Sequence, residues 1–298
     1  MADDKDTKRA RTLDELLEMT RQRAAKATAA AEQKAAETTR QLWLPGFDIG
    51  AMPNHINRSS LFAPVARGRR KFHRQTPMVT RSDCVLEYTG EQLDEADADL
   101  VMALIFFAQK QPLGTPVVLN RAALLRKIGR STGKHDYDWL HRRIKALTEA
   151  TLFLEAKKPD GSTRYTIGKT VSFRIVSSFV YDDETESYTY TLDPRWVQMF
   201  ANREYSLIDF ERRLMIGRGQ DMAKALQRLF ATSSDPVQRY ALDWLKDKLE
   251  YSSPMRKFRE SLMAACAELE RLEIIARARI EQSTRGKPQL AVWLLASG

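Results

Sequence analysis

Cysteine is nearly absent. Cys84 and Cys266 are the only two in 298 residues. They lie far apart in apolar patterns, which excludes a disulfide framework and a thiolate metal site. Both are expected to be reduced core residues of an intracellular protein. Long apolar runs are missing too. None approaches the ~18 residues of a membrane-spanning helix, and the start "MADDKDTKRARTLDELL" lacks the apolar centre of an export signal; no membrane partner is expected. The four histidines, His55, His73, His135 and His141, show no metal-ligand spacing. The paired-histidine cluster of a rolling-circle nicking enzyme and the nucleophile elbow of a hydrolase are both lacking. "GRSTGKH" (129–135) is not a phosphate-binding loop: three residues separate Gly129 from Gly133 where four are needed, and His135 replaces the required Ser or Thr. No enzymatic role, metal or cofactor is expected.

What the chain does have is positive charge. Lys and Arg number 48 against 39 Asp and Glu, for a net charge of +9 and a pI of about 9.5. Such an excess suits either a polyanionic partner or simply a basic surface, and says nothing of fold. The length suits about two domains of ~100–200 residues.

Residues 1–50 are expected to form a flexible arm, largely disordered or helical, because "LDELLEMTRQRAAKATAAAEQKAAETTR" has few large apolar residues after Leu17. The apolar island "QLWLPGF" (41–47) interrupts it. Residues 51–82 read as a basic linker whose "ARGRRKFHR" holds four Arg and one Lys, with Arg69, Arg70 and Lys71 placed to grasp DNA. From "DCVLEYTG" onward the pattern becomes strand and helix. "DEADADLVMALIFFAQKQ" is a helix whose carboxylates are explained by capping. "PVVLN" is a strand, "RAALLRKIG" a short helix, and "STGKHDYDWLHRRIKALTEA" a longer one, followed by successive strands. The order recurs after residue 201: "GQDMAKALQRLFATSS", "VQRYA", "LDWLKDKLEY", "SPMRKFRESLMAACAELERL", then a hairpin across "STRGK". Helix, strand, helix, helix, hairpin is the winged-helix order. The fold class expected is therefore α+β, with two tandem winged-helix domains over 83–200 and 201–298.

The helix in "YSSPMRKFRESLMAACAELERL" (251–272) opens on cations, although the helix dipole favours acids there. Ser252 or Ser253 would cap it, with Pro254 in its first turn. At about 100° per residue, Phe258, Met255, Leu262, Ala265, Leu269 and Leu272 form a core stripe. Arg256 points away from it, and Lys257 and Arg259 flank it. In helix-turn-helix proteins the second helix sets its N-terminal residues against bases in the major groove, so the missing anion would be DNA. Ser253, Arg256, Lys257 and Arg259 are the candidate contacts, with Arg277, Arg279, Arg285 and Lys287 on the hairpin. The alternative is a solvated face with Arg256 paired to Glu260. Upstream, a stripe of Tyr137, Leu140, Ile144 and Leu147 leaves Lys134, His135, Arg142, Arg143 and Lys145 as weaker candidates, since Asp136 and Asp138 oppose phosphate.

"AMPNHINRSSLFAPV", "EYTGEQLDEADADLV", "WLHRRIKALTEATLF" and "YSSPMRKFRESLMAACAEL" resemble the TrfA-type plasmid replication initiator family, from about Gln41 to the C-terminus. The resemblance implies tandem winged helices binding double-stranded iteron DNA at a plasmid origin. It also implies opening of A·T-rich DNA with single-stranded contacts, recruitment of the host replicative helicase and host initiator, and a monomer–dimer equilibrium. It implies a bacterial cytoplasmic protein associated with plasmid or nucleoid. "QLWLPGF" is similar to the family's sliding-clamp pentapeptide at Gln41, Leu42 and Leu44. Pro45 departs where an aromatic stands, and Phe47 comes two residues late, so docking on the chain's own body is the alternative. A winged-helix repressor and a rolling-circle nicking enzyme are the competing functions.

Overall fold

"AMPNHINRSS", which has no helical or strand periodicity, is buried almost throughout. The computed structural model describes Gln22 and residues 50–65, 70–158, 160–168, 172–200 and 204–295. Two units are present, Met1–Leu42 and Trp43–Gly298, and all elements below belong to the second.

In chain order the first elements are β1 (Gly50–Pro53), α1 (Asn54–Arg58), β2 (Phe72–Pro77), β3 (Cys84–Glu91), α2 (Glu95–Ala108), β4 (Val117–Asn120), α3 (Arg121–Lys127) and α4 (Lys134–Glu149). Next come β5 (Thr151–Lys157), β6 (Thr163–Ile167), β7 (Phe173–Arg174), β8 (Val176–Asp182), β9 (Ser187–Leu192) and α5 (Trp196–Phe200). The chain closes with β10 (Tyr205–Ile208), α6 (Phe210–Met215), α7 (Asp221–Phe230), β11 (Val237–Ala241), α8 (Leu242–Lys248), α9 (Met255–Arg271), β12 (Arg277–Gln282) and β13 (Pro288–Trp293). Among the described residues, no helix is long and apolar enough to cross a membrane.

The order α2–β4–α3–α4–β5–β6 matches α7–β11–α8–α9–β12–β13. The sheets differ. Downstream, β11 joins the hairpin in the order β11–β13–β12; upstream, β4 leaves its hairpin and pairs with β9 in the order β4–β9–β8. The β5–β6 hairpin instead extends the sheet β2–β3–β5–β6. Period-two burial explains the strands: Cys84, Leu86 and Tyr88 on β3 face the core, as do Leu152, Leu154 and Ala156 on β5. Tyr190 of β9 donates to Leu104 O at 2.7 Å, tying that second sheet to α2.

Residues 51–65 and 70–82 are not a linker. β1 pairs antiparallel with β10, β2 pairs with β3, and α1 is a strut between distant segments. Asn57 donates to Met52 O and accepts from Arg228. Arg58 donates to Asp83 at 3.0 Å and to Thr232 O at 2.7 Å.

Capping accounts for only part of the acidic start of α2. Asp94 caps it, accepting from Ala96 N and Asp97 N. Glu95 and Asp99 instead anchor a buried ionic hub. Glu95 accepts from Arg213 at 2.7 Å and from Arg228 at 2.5 Å, with all three side chains fully buried. Asp99 pairs with Arg213 and, at 2.6 Å, with Lys224. Burial alone would raise the Glu95 pKa, but the guanidiniums of Arg228 and Arg213 outweigh it and hold the carboxyl below its ordinary range.

Beside this hub, Lys248 is fully buried and donates to Ser59 O at 3.0 Å. Desolvation, reinforced by Arg228, pushes its pKa down to about 7. An unfolded lysine titrates near ~10.4, so between these values the unfolded chain holds more protons, and this group's contribution to stability rises with pH. A Lys248→Met variant is expected to be more stable than wild type at pH 7, with the advantage shrinking as pH approaches 10. Paired thermal melts across that range check it; a pH-independent difference would contradict the depressed lysine.

Candidate nucleic-acid interface

The N-terminus of α9 is open. Pro254 occupies the cap position and makes no side-chain cap bond, and the first turn holds no acid. Ser253 therefore does not cap the helix. With the backbone N–H groups of the first turn lacking a side-chain acceptor, the end offers donors and a positive dipole to an external anion. Phe258, Leu262, Ala265 and Leu269 are buried, with Met255 and Leu272 half-buried at the edges. The stripe packs on α7, α8 and β12–β13, which leaves Arg256, Lys257 and Arg259 exposed. Arg256 does meet Glu260, but at 3.9 Å with the two side chains 86% and 67% exposed, a surface pair worth little.

The hairpin adds an ordered basic edge. Arg277 lies 4.3 Å and Arg279 4.9 Å from the centre of the Trp293 ring. Glu281 accepts from Arg279 at 3.0 Å and also pairs with Arg239. Arg285 and Lys287 sit in the exposed turn, without side-chain partners among the described residues. Trp293 and Arg239 escaped the sequence reasoning: nothing local to Trp293 signals that it stacks under two arginines of the neighbouring strand.

The upstream helix is more tied down. Lys134, His135, Arg142 and Lys145 are exposed. Asp136, expected to repel phosphate, is held by Ser131 and by Arg130 at 2.9 Å. Those hydrogen bonds keep its pKa below the ordinary range. Arg130 in turn stacks on Trp139 at 3.5 Å.

Two expected contacts are corrected. Arg143 is buried, paired with Asp97 at 2.6 Å and with Glu91; these carboxylates lift its pKa despite burial, and it is core. Arg70 is bound by Asp97 at 2.7 Å, by Asp94 and by Gln92 O, so its charge is spent internally. Lys71 is exposed. Arg69, together with Gln41, Leu42, Leu44, Pro45 and Phe47, lies outside the described residues.

Comparison with known proteins adds the family. A crystal structure of RctB domains 2–3 matches with a TM-score of 0.52 at 14% identity, covering 81% of this chain and 97% of that one. A selenomethionine derivative of the same RctB domains matches with a TM-score of 0.52 at 12% identity, over 82% and 98%. These likenesses show a shared fold. A Pi initiator protein solved in complex with iteron DNA gives a TM-score of 0.47 at 14% identity, over 74% of this chain and 100% of that one. No curated protein matches. The family model described as "TrfA protein" matches residues 17–284, nearly the whole chain, and the chain belongs to the TrfA family.

Proposed function

We propose that this protein is a non-enzymatic plasmid replication initiator, cytoplasmic and bound to directly repeated sites at its origin. The observation that carries this is the uncapped N-terminus of α9, with Arg256, Lys257 and Arg259 exposed around it and the Arg277–Lys287 hairpin behind it. This is the arrangement of a recognition helix with a wing. Family membership supports the assignment. In this proposal α7 to β13 form one winged helix and the matching elements from α2 to β6 another. Lys134, His135, Arg142 and Lys145 make secondary phosphate contacts.

The finer steps are proposed with it: opening of A·T-rich DNA, single-strand contact, and recruitment of helicase, host initiator and sliding clamp. Clamp recruitment is assigned to Gln41–Phe47 on the family resemblance alone. A second copy is proposed to pair along β8, an outer strand of its sheet. Val180 on β8 and Val118 on β4, both opposite Thr189, are 61% and 71% exposed.

Footprinting on the resident plasmid's origin, with sedimentation and clamp capture on the same mixtures, tests these assignments. Protection of direct repeats by monomers, with dimers dissociating on DNA, is expected. A lone inverted repeat bound by a dimer would instead indicate a repressor, a magnesium-dependent nick an enzyme, and failed capture would remove the clamp assignment.

A further inference from the structure

Orphaned polar atoms gather at one place. Among the described residues, every buried side-chain N or O without a hydrogen-bond partner, except Arg121 Nε, belongs to His55, Arg58, Asp83, Tyr165 or Glu204. Buried polar groups are almost always paired, and leaving one unpaired is unfavourable because its desolvation is not offset. A cluster of them on one wall is unusual.

Four of these residues, His55, Arg58, Asp83 and Glu204, line a cavity of about 450 Å³ between α1, the turn before β3 and the β5–β6 hairpin, and Tyr165 packs against His55. The size falls within the ~300–1,000 Å³ range of small-molecule sites. The His55 side chain is only 6% exposed and lines the cavity. Its Nε2 comes no nearer than 3.5 Å to Glu204 Oε2, and neither ring nitrogen is hydrogen-bonded. The Tyr165 ring meets the imidazole edge-on, with centroids 6.2 Å apart.

Charge separates the two ends. Arg58 neutralises Asp83 at 3.0 Å, and Arg164 pairs with Glu204. The inner carboxylates therefore hold no surplus charge for a metal cation. At the rim, Lys157 and Lys158 have no side-chain partner among the described residues, so the mouth carries uncompensated positive charge. Away from the lysines, the lining offers acceptors on Glu204 and Asp83 and both a donor and an acceptor on a neutral imidazole. Burial favours that neutral form. A ligand that fits is anionic at one end and carries donors and acceptors on one rigid edge at the other.

We propose that this cavity binds a nucleotide, with the base edge against His55 and Glu204 and the phosphate between Lys157 and Lys158. The nucleotide can come free from solution or as an unpaired unit of a single strand. The two sources share this chemistry.

Equilibrium dialysis of the full chain against dAMP, dCMP, dGMP and dTMP, and against short single strands of each base, tests the proposal. Saturable binding of a mononucleotide is expected for a free ligand, and binding of a single strand only for a strand unit. In either case Lys157→Ala/Lys158→Ala should weaken it at least tenfold. Glu204→Gln should change the order of base preference, and should leave duplex binding unaltered because it removes no exposed cation. Loss of duplex binding in wild type would remove the proposed function while leaving this test readable. Absence of all saturable binding up to millimolar ligand would overturn the proposal. So would inorganic phosphate competing as well as any nucleotide, or an unaffected double-lysine variant.

Discussion

A Glu95→Ala variant is expected to melt roughly 6–20 °C below wild type. Removing one partner of a buried ion pair costs ~3–5 kcal/mol, and each kcal/mol moves the melting temperature of a body this size by ~2–4 °C. Here the loss weakens the pairing of one guanidinium and strands a second, Arg228, without any carboxylate. Arg213 retains Asp99, and Arg228 retains the neutral acceptors Asn57 Oδ1 at 3.2 Å and Phe62 O at 2.8 Å. Both arginines are fully buried, so water cannot replace the carboxylate. Glu95→Gln keeps an acceptor and should fall between. Asp138→Ala, at an exposed position, is the control and should change little. If Glu95→Ala melts within a degree or two of wild type, the hub does not hold α2 to α6 and α7.

The second large effect concerns DNA. Arg256→Ala/Arg259→Ala is expected to weaken binding to origin repeats by ~2–6 kcal/mol if both arginines read bases, at ~1–3 kcal/mol each. If both contact phosphates, the log–log salt slope should flatten by about two units instead. Stability should stay within about half a kcal/mol, as for exposed positions generally. Among the described residues, the only ion pair lost is the 3.9 Å contact of Arg256 with Glu260. A salt titration by fluorescence anisotropy, beside a thermal melt, measures both. Unchanged affinity and slope would mean that α9 is not the reader.

Local pattern revealed α9 well. Its 3.6-residue stripe and the hairpin that follows depend on residues close in sequence, and the structure buries Phe258, Leu262, Ala265 and Leu269 with Met255 and Leu272 half-buried at the edges. The strut at 51–65 could not be found that way, because its partners are remote: Asn57 meets Arg228 and Arg58 meets Thr232, 171 and 174 residues away. A helical wheel set Arg143 at the flank of its stripe, where it is equally able to face solvent or a neighbour. Only the tertiary placement of Asp97, 46 residues earlier, decides for the neighbour. Arg70 lost its place among the DNA contacts for the same reason. The acids of α2 illustrate the converse. Capping explains Asp94 and Asp97, whose side chain accepts from the Asp94 N–H to complete a capping box, but Glu95 and Asp99, and Asp97 as well, also serve arginines that no local rule connects to them. The candidate interface was legible where exposure follows from periodicity, and illegible where a cation is consumed by a distant carboxylate.

Cleavage from a chelate tethered at the start of α9 tests the central claim most directly. Cys84 and Cys266 are both buried, so a Ser252→Cys variant presents one reactive thiol at an exposed position. An iron chelate attached there should cut origin DNA in a cluster on one face of each direct repeat, recurring with the repeat period. Even cutting along the fragment, or none on a fragment that the labelled protein demonstrably binds, would show that the N-terminus of α9 does not enter the DNA groove.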